Sequence, residues 1–398
     1  MTDAGSGAVT PMDPRVLDLE AVARSLRPFG ESTMLPAAAY TSAEVLAWEQ
    51  RHLFAGTWTC VGRVEDLRGG EVRQRALAVG DVPVLLVSAD DLPLRAFANT
   101  CRHRGHELLA PGESSSSRSV VCPYHAWSYG LDGSLRAAPG FRQSAAFEPG
   151  EHSLVELPLA TWHGWVFVHA LRSTEQEPTV SFTDHVGALE GVIVPYAPEQ
   201  LHLGARHTYT VAANWKVVVE NYHECYHCPL IHPELCRVSP PASGDNYDLA
   251  GAWVGGSMEL REGASTMSVS GHSGGKPIAG VDRRKVQYVG LLPNLLVSAH
   301  PDYVMTHRLL PQAADRTWIE CSWYFVDPAT DPTYAVEFWD ITNRQDWAAC
   351  ESVQRGLASP HFRPGPLAPN EDAVHRFVSM VGRAYLGESM HQSVTSLP

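Results

Sequence analysis

Two short runs hold paired metal-ligand side chains: Cys101-Arg102-His103 and Cys122-Pro123-Tyr124-His125, a C-x-H…C-x-x-H pattern. Two thiolates and two imidazoles suit a Rieske [2Fe–2S] cluster, in which one iron keeps two cysteines and the other takes two histidines, raising the potential above that of an all-cysteine cluster. Such a centre passes single electrons. The same four side chains would also make a tetrahedral zinc set. Zinc modules, however, pair Cys with Cys and His with His, whereas each run here supplies one of each. A disulfide between these cysteines is the weaker alternative, since no further pair flanks the runs.

A second stretch rich in ligands spans Asn214 to Leu235 and contains Glu220-Asn221-Tyr222-His223-Glu224-Cys225-Tyr226-His227-Cys228-Pro229 and His232-Pro233. Helix is expected through about Cys228, closed by Pro229, with Pro233 pushing His232 towards an extended backbone. Two imidazoles could then converge from the last turn and the loop after it. Two His and one carboxylate with open positions form the facial triad of non-haem Fe(II) oxygenases, whose open sites take O2. Helical spacing would place Glu220, Glu224 and His227 on one face. Cys225 and Cys228 are expected to be packing cysteines, because a redox C-x-x-C belongs at a helix N-terminus in a βαβ context.

From about Tyr40 to Leu386 the combination of the two segments resembles the large (α) subunits of Rieske non-haem iron oxygenases. Met258-Glu259-Leu260, Thr266-Met267-Ser268-Val269-Ser270-Gly271, Pro293-Asn294-Leu295-Leu296 and the run from His300 to His307 are similar to the quaternary-amine branch. That branch includes glycine betaine, carnitine, choline and stachydrine oxygenases, with glycine betaine monooxygenase nearest by these strings. The resemblance implies His227 and His232 as ligands of a mononuclear Fe(II). It also implies a carboxylate from Asp346, in a segment similar to the family's E-D…V-Q-x-G-L, where Gln345 replaces the usual acidic neighbour. Glu371 or Asp372 is the alternative carboxylate. Glu224, with Asn221 beside it, takes the catalytic place of the acidic residue that bridges the Rieske histidine of one subunit and the iron histidine of its neighbour in a homotrimer.

The implied reaction is O2-dependent hydroxylation of an N-methyl group of a small quaternary ammonium compound. Formaldehyde is released, and electrons come from NAD(P)H through a flavin/ferredoxin-type reductase. Cation–π contact with a trimethylammonium head points to Trp253 and Tyr303, with Met267 and His307, from the branch-specific strings. Ordinary core packing is the alternative role for them. Two other functions stay open: a Rieske oxygenase for another substrate, such as an aromatic acid or a different amine, and a Rieske electron-transfer protein without chemistry of its own.

The elements that must position these residues predict an α+β chain. It has an N-terminal all-β Rieske domain over 44–170 and a catalytic domain of antiparallel sheet and helices, helix-grip-like, over 171–398. A partly disordered N-terminal segment, 1–43, packs on the catalytic domain. Residues 1–12 are expected to be disordered, with a helix from Asp13, as N-cap, to Leu26. A capping-box pattern at Thr41-Ser42-Ala43-Glu44 opens a helix through about Phe54. Strands dominate 58–170, with turns at Gly69-Gly70, Gly80-Asp81 and Asp90-Asp91, and both cluster loops are expected at hairpin tips. Helix near 184–192, strands near 206–212, 285–299, 303–310 and 316–326, and helices near 333–357 and 370–386 complete the chain.

A formal charge of −14 over 398 residues, with no Lys/Arg run, argues against nucleic acid or an anionic membrane as the main partner. No stretch approaches the ~20 apolar residues that span a bilayer. The N-terminus lacks the basic and apolar regions of a secretory signal, and unpaired cysteines with an Fe–S cluster suit a reducing cytoplasm.

Overall fold

A computed structural model describes residues 9–391 apart from 69–70, 90–91, 142–145, 173 and 177. The chain divides into two compact units, Glu49–Ser181 and Met1–Trp48 with Phe182–Pro398, against boundaries of 43/44 and 170/171 expected from sequence. The turns expected at Gly69-Gly70 and Asp90-Asp91 lie outside the described residues.

The 49–181 unit is built from short antiparallel strands. β1 (Thr59–Arg63) pairs with β11 (Trp165–Val168), which pairs with β10 (Leu159–Trp162). A five-stranded sheet runs β5 (Ser114–Ser115), β2 (Gln74–Val79), β3 (Val82–Ala89), β4 (Leu92–Ala98), β9 (Glu156–Leu157), and a small sheet runs β6 (Ser119–Val121), β7 (Ser128–Gly130), β8 (Leu135–Ala137). Alternation along β3 decides what each face does, because successive strand side chains point to opposite faces. Val84 and Leu86 pack with Val79, Ala96, Val166 and Val168. Leu85 and Val87 pack on the other side with Phe97, Leu108, Trp127, Tyr129, Cys101 and Cys122. Each such fully buried side chain contributes roughly 1.5–3 kcal/mol, so the second face is a platform for the two cysteine loops. Only the second loop caps a hairpin, β6–β7. The first follows β4, and the next strand, β5, pairs with β2 instead.

In the other unit a seven-stranded antiparallel sheet has the order β12 (His202–Val211), β18 (Arg316–Phe325), β17 (Tyr303–Ala313), β16 (Leu295–Ala299), β15 (Lys285–Leu291), β14 (Trp253–Glu259), β13 (Asp245–Asn246). Every residue of β16 is buried, as a strand covered on both faces requires. The helix Thr333–Leu357 buries Phe338, Trp339, Thr342, Cys350, Gln354 and Leu357. These recur at the three-to-four-residue spacing of one helix face, and Asp346 falls on that face, four residues from Thr342 and from Cys350.

Five local expectations are corrected. The helix that starts at Trp215, capped by Asn214 Oδ1 accepting from Lys216 N (3.0 Å), ends at Tyr222 and does not reach Cys228. Residues 223–227 form a turn, and a new helix, Cys228–Ile231, has Pro229 in its first turn. A proline there loses no hydrogen bond, so it opens a helix where it was expected to close one. The same turn brings Cys225 and Cys228 into a disulfide, with Cα atoms 4.9 Å apart, in place of two packing thiols. Finally, the first helix is Leu19–Ser25, capped by Asp18 and not by Asp13. Of the 1–12 segment expected to be disordered, residues 1–8 lie outside the described residues. Met12 is buried and donates to Tyr385 O (2.9 Å), and Thr10 O accepts from Trp48 Nε1 (3.1 Å). The helix expected near 184–192 is split into Phe182–Val186 and Leu189–Ile193. Gly187 lies between them at φ +53°, where a Cβ would stand 2.3 Å from Ala250 O.

Candidate active site and metal centres

The two cysteine loops share one backbone plan. Cys101 N donates to His106 O and Cys122 N to Trp127 O, both at 2.8 Å. Four residues after each cysteine the chain turns back: Gly105 N donates to Cys101 O (3.0 Å) and Ala126 N to Cys122 O (3.1 Å). Both turning residues take left-handed φ, 75° at Gly105 and 56° at Ala126. The loops thereby present the same atoms in the same order. Cys101 and Cys122 are buried and within hydrogen-bonding reach of each other, and burial leads in pushing the Cys122 thiol up. The Tyr129 hydroxyl lies 3.3 Å from Cys101 Sγ and accepts from Arg102 N at 3.0 Å.

The His103 and His125 rings stand 4.6 Å apart, and Trp127 stacks flat on His103 (5.0 Å, 7°). His103 Nδ1 is buried with no hydrogen-bond partner. An orphaned ring nitrogen, a second imidazole beside it and two buried thiols on the same paired loops fit a two-Cys, two-His cluster.

The second site lies within the larger unit. His227 Nε2, His232 Nε2 and Asp346 Oδ1 come from the turn, from the residue between two short helices and from the long helix. One ligand atom from each can hold a metal ion, all within 4.8 Å of one another. His232 Nε2 is 2.8 Å and His227 Nε2 3.3 Å from Asp346 Oδ1, and the two ring nitrogens are 3.1 Å apart. Both imidazoles are held from behind. His227 Nδ1 bonds Glu224 Oε1, while Glu224 Oε2 accepts from His227 N at 3.2 Å. His232 Nδ1 donates to Gln345 Oε1 at 2.7 Å. Acceptors behind Nδ1 place the proton there and leave the Nε2 lone pairs facing the common point.

Burial lowers the His227 imidazole, but hydrogen bonds with Asp346 and Glu224 outweigh it and push it up to about 9. Burial likewise opposes the Asp346 carboxylate, yet His227 and His232 hold it below the ordinary carboxylate range. Asn221 Nδ2 stands 3.5 Å from His227 Nε2, at the limit of a contact.

A cavity of about 410 Å³ opens onto this cluster. Its walls include Asn221, Glu224 and the rings of Tyr222, Tyr288 and Trp339. The rings form a chain, with centroids 6.1 Å apart for Tyr222–Tyr288 and 6.4 Å for Tyr288–Trp339. None of the four residues expected to hold substrate lines it. Trp253, Met267 and Tyr303 are fully buried, and His307 nearly so. Trp253 Nε1 donates to Ala250 O (2.9 Å), Tyr303 OH donates to Met267 O (2.8 Å), and His307 Nε2 bonds Asn343 Oδ1 (3.1 Å). They pack the core. Neither Glu371 nor Asp372 joins the three-ligand cluster; Asp372 lines the cavity.

Sequence reasoning missed Gln345 as the support of His232, and Tyr222, Tyr288 and Trp339 as cavity rings. For Trp339 a signal existed: it precedes Asp346 by seven residues, two turns back on the same helix face.

Comparison with known proteins agrees with both centres. Residues 57–155 match the Rieske [2Fe-2S] domain and residues 198–387 the ring hydroxylating alpha subunit catalytic domain. The chain belongs to the Rieske non-haem iron oxygenases, as a large (α) subunit. Within that class it is a monooxygenase oxygenase subunit. It is similar to the carnitine monooxygenase oxygenase subunit of Escherichia coli (strain K12), 31% identical over 84% of this chain and 86% of that one. The glycine betaine monooxygenase oxygenase subunit of Chromohalobacter salexigens is 28% identical over 89% of this chain and 86% of that one. A solved quaternary ammonium Rieske monooxygenase, described in connection with carnitine oxidation and inter-subunit electron transfer, superposes with a TM-score of 0.74 at 25% identity, over 95% of this chain and 100% of that one. Among the described residues no helix is long and apolar enough to cross a membrane.

Two outcomes are expected. Gly105→Ala meets no atom within 4 Å, so its cost is conformational. It should lower the stability of the cluster-loaded protein by about 1–2 kcal/mol, whereas Ala126→Gly, the same change in reverse at a left-handed residue, should raise it by up to about the same amount; thermal melts followed at the cluster absorbance compare the two. Gln345→Leu keeps the volume and removes the acceptor behind His232. It should weaken Fe(II) binding about 10- to 100-fold, and an unchanged dissociation constant in a competition titration would count against this role.

Proposed function

We propose that the protein hydroxylates an N-methyl group of a small quaternary ammonium compound, with His227, His232 and Asp346 as the ligands of its mononuclear iron. The observation that carries this reading is the row of three rings, Tyr222, Tyr288 and Trp339, in the cavity onto which those ligands open. A trimethylammonium group has no acidic proton to donate and no lone pair, so ring faces are its natural partners, at roughly 0.5–2 kcal/mol each. The names of the carnitine and glycine betaine relatives support the same substrate class.

The absence of a nitrogen lone pair also sets the reaction, because oxidation at nitrogen is closed and attack falls on C–H. Substrate, O2, two electrons and two protons give an N-hydroxymethyl ammonium and water. The C–N bond of that carbinolamine then breaks to release formaldehyde, the tertiary amine and a proton. Bound iron supplies the activation of O2. The chain's own residues orient and shield. Glu224 and Gln345 fix the imidazoles, and the rings present a methyl group towards the ligand face.

Cys101, His103, Cys122 and His125 would hold the cluster, which would supply the two electrons one at a time. Their source is NAD(P)H, through a flavin/ferredoxin-type reductase. In a homotrimer Glu224, already bonded to His227 Nδ1, is placed to pass electrons from the Rieske histidine of a neighbouring subunit.

Formaldehyde release with matched O2 uptake tests the reading, on iron-reconstituted protein with NADH and a surrogate reductase across quaternary ammonium compounds. Release at one formaldehyde per O2 is expected, and silence across the panel with a reducible cluster would refute N-demethylation. His227→Ala should lose turnover and the mononuclear iron while keeping the Rieske absorbance. Glu224→Gln should keep both metal centres yet slow cluster-to-iron electron transfer in a single turnover, and transfer at the wild-type rate would remove the bridging role.

A further inference from the structure

Tyr288 brings more than a ring face to the cavity. Its hydroxyl is buried and has no hydrogen-bond partner in the protein, and the neighbouring strands show why. Tyr288 lies on β15 directly opposite Gly256 on β14 and Ser298 on β16, and residues opposite one another on adjacent strands share a face of the sheet. Gly256, which also lines the cavity, has no side chain to offer. None would fit, since a Cβ there would stand 2.1 Å from Asp245 O. Ser298 is already taken, its Oγ 2.8 Å from Tyr222 OH.

The rings beside Tyr288 give it no acceptor either. Trp339 Nε1 donates to Tyr303 OH at 2.7 Å. His300 meets Tyr288 edge-on with centroids 6.3 Å apart, and both of its ring nitrogens are likewise buried and unpartnered. Burial holds the Tyr288 phenol well above its usual range, so the group keeps its proton and is a donor. A buried donor without an acceptor destabilises a fold. Phenylalanine would present the same ring face without that penalty, so the hydroxyl has a task that the ligand-free protein does not show.

We infer that the substrate is a quaternary ammonium compound with an oxygen acceptor close to its nitrogen, and that the Tyr288 hydroxyl donates to that oxygen; this rests on the reading of the cavity given above. One tyrosine then addresses both parts of a short ligand, the ammonium through its ring and the oxygen through its hydroxyl. The oxygen meets a neutral donor, since no Lys or Arg is among the described residues that line the cavity. A site built to hydrogen-bond a ligand oxygen rejects an analogue that lacks it, because its own buried group is then left unpaired. Tyr288 is in this sense a specificity-determining residue.

The test sets choline and glycine betaine, which carry such an oxygen, against propyltrimethylammonium, in which a methyl group replaces the hydroxyl of choline. Dissociation constants come from calorimetry on the iron- and cluster-loaded protein, wild type and Tyr288→Phe, with formaldehyde release followed separately. The tighter-binding of the two oxygen-bearing compounds is expected to bind at least about tenfold more tightly than propyltrimethylammonium. Tyr288→Phe should reduce that ratio about tenfold, and without ligand it should melt no lower than the wild type, since it loses a donor that has no partner. Propyltrimethylammonium bound as tightly as the other two by the wild type would overturn the inference. An unchanged ratio in Tyr288→Phe would overturn the assignment to Tyr288 and give its hydroxyl to a buried water shared with His300. The expected ratios without formaldehyde, from protein with a reducible cluster, would remove N-demethylation and leave Tyr288 as a ligand contact. Binding of none of the three would remove both readings.

Discussion

Three lone-pair donors within 4.8 Å of one another are the constraint on which the catalytic unit depends. Two imidazoles and a carboxylate brought this close in a partly buried place must share a proton or a cation, and metal binding at such a site releases protons. The opposed influences on His227 and Asp346 express the same demand. Burial disfavours both charged forms; Asp346 and Glu224 rescue that of His227, and His227 and His232 rescue that of Asp346. Rigid supports are required because a loose donor would turn away to solvent. Asp346 is set by the buried stripe of a 25-residue helix. His232 is nearly fully buried, at φ −118° and ψ 69°, outside the α region that the following proline disfavours. His227 is tied at its backbone and at its ring by the same carboxylate.

The Rieske unit meets its own demand by repetition. Two loops of different sequence reach the same plan of backbone hydrogen bonds, and a left-handed residue closes each. Both rest on the face of β3 that Leu85 and Val87 define, so strand alternation separates the domain core from the cluster platform. The cluster therefore inherits the rigidity of the sheet, which suits a centre that changes charge by one electron without rearranging its ligands.

The candidate ligands stood out in the sequence because metal chemistry restricts residue type and spacing. Cys101, His103, Cys122, His125, His227 and His232 were each named from it, and the long helix Thr333–Leu357 was placed at both ends. Local conformation between the ligands was less legible. Pro229 is compatible with either end of a helix, so a turn was read as helix and a disulfide as two thiols. Substrate contacts were misplaced for a different reason. Trp253 and Tyr303 belong to strings that resemble the quaternary-amine branch, but β14 and β17 bury both side chains in the core. The true cavity rings, Tyr222, Tyr288 and Trp339, come from a helix end, a strand and the carboxylate helix, a juxtaposition that only the tertiary fold creates. Gln345 was visible as a departure from the usual acidic neighbour, but its partner His232 lies 113 residues away.

That departure makes the two imidazoles of the three-donor group unequal. A carboxylate behind His227 Nδ1 draws its proton strongly and makes the ring a better donor, whereas the Gln345 amide behind His232 fixes the same tautomer with less charge transfer. A second carboxylate at 345 would have levelled the pair and added one more negative charge beside Asp346, at a place already crowded with carboxylates. With the amide, negative charge is concentrated behind one imidazole, that of His227, which Glu224 holds. The neutral support leaves His232 and Asp346 to hold geometry.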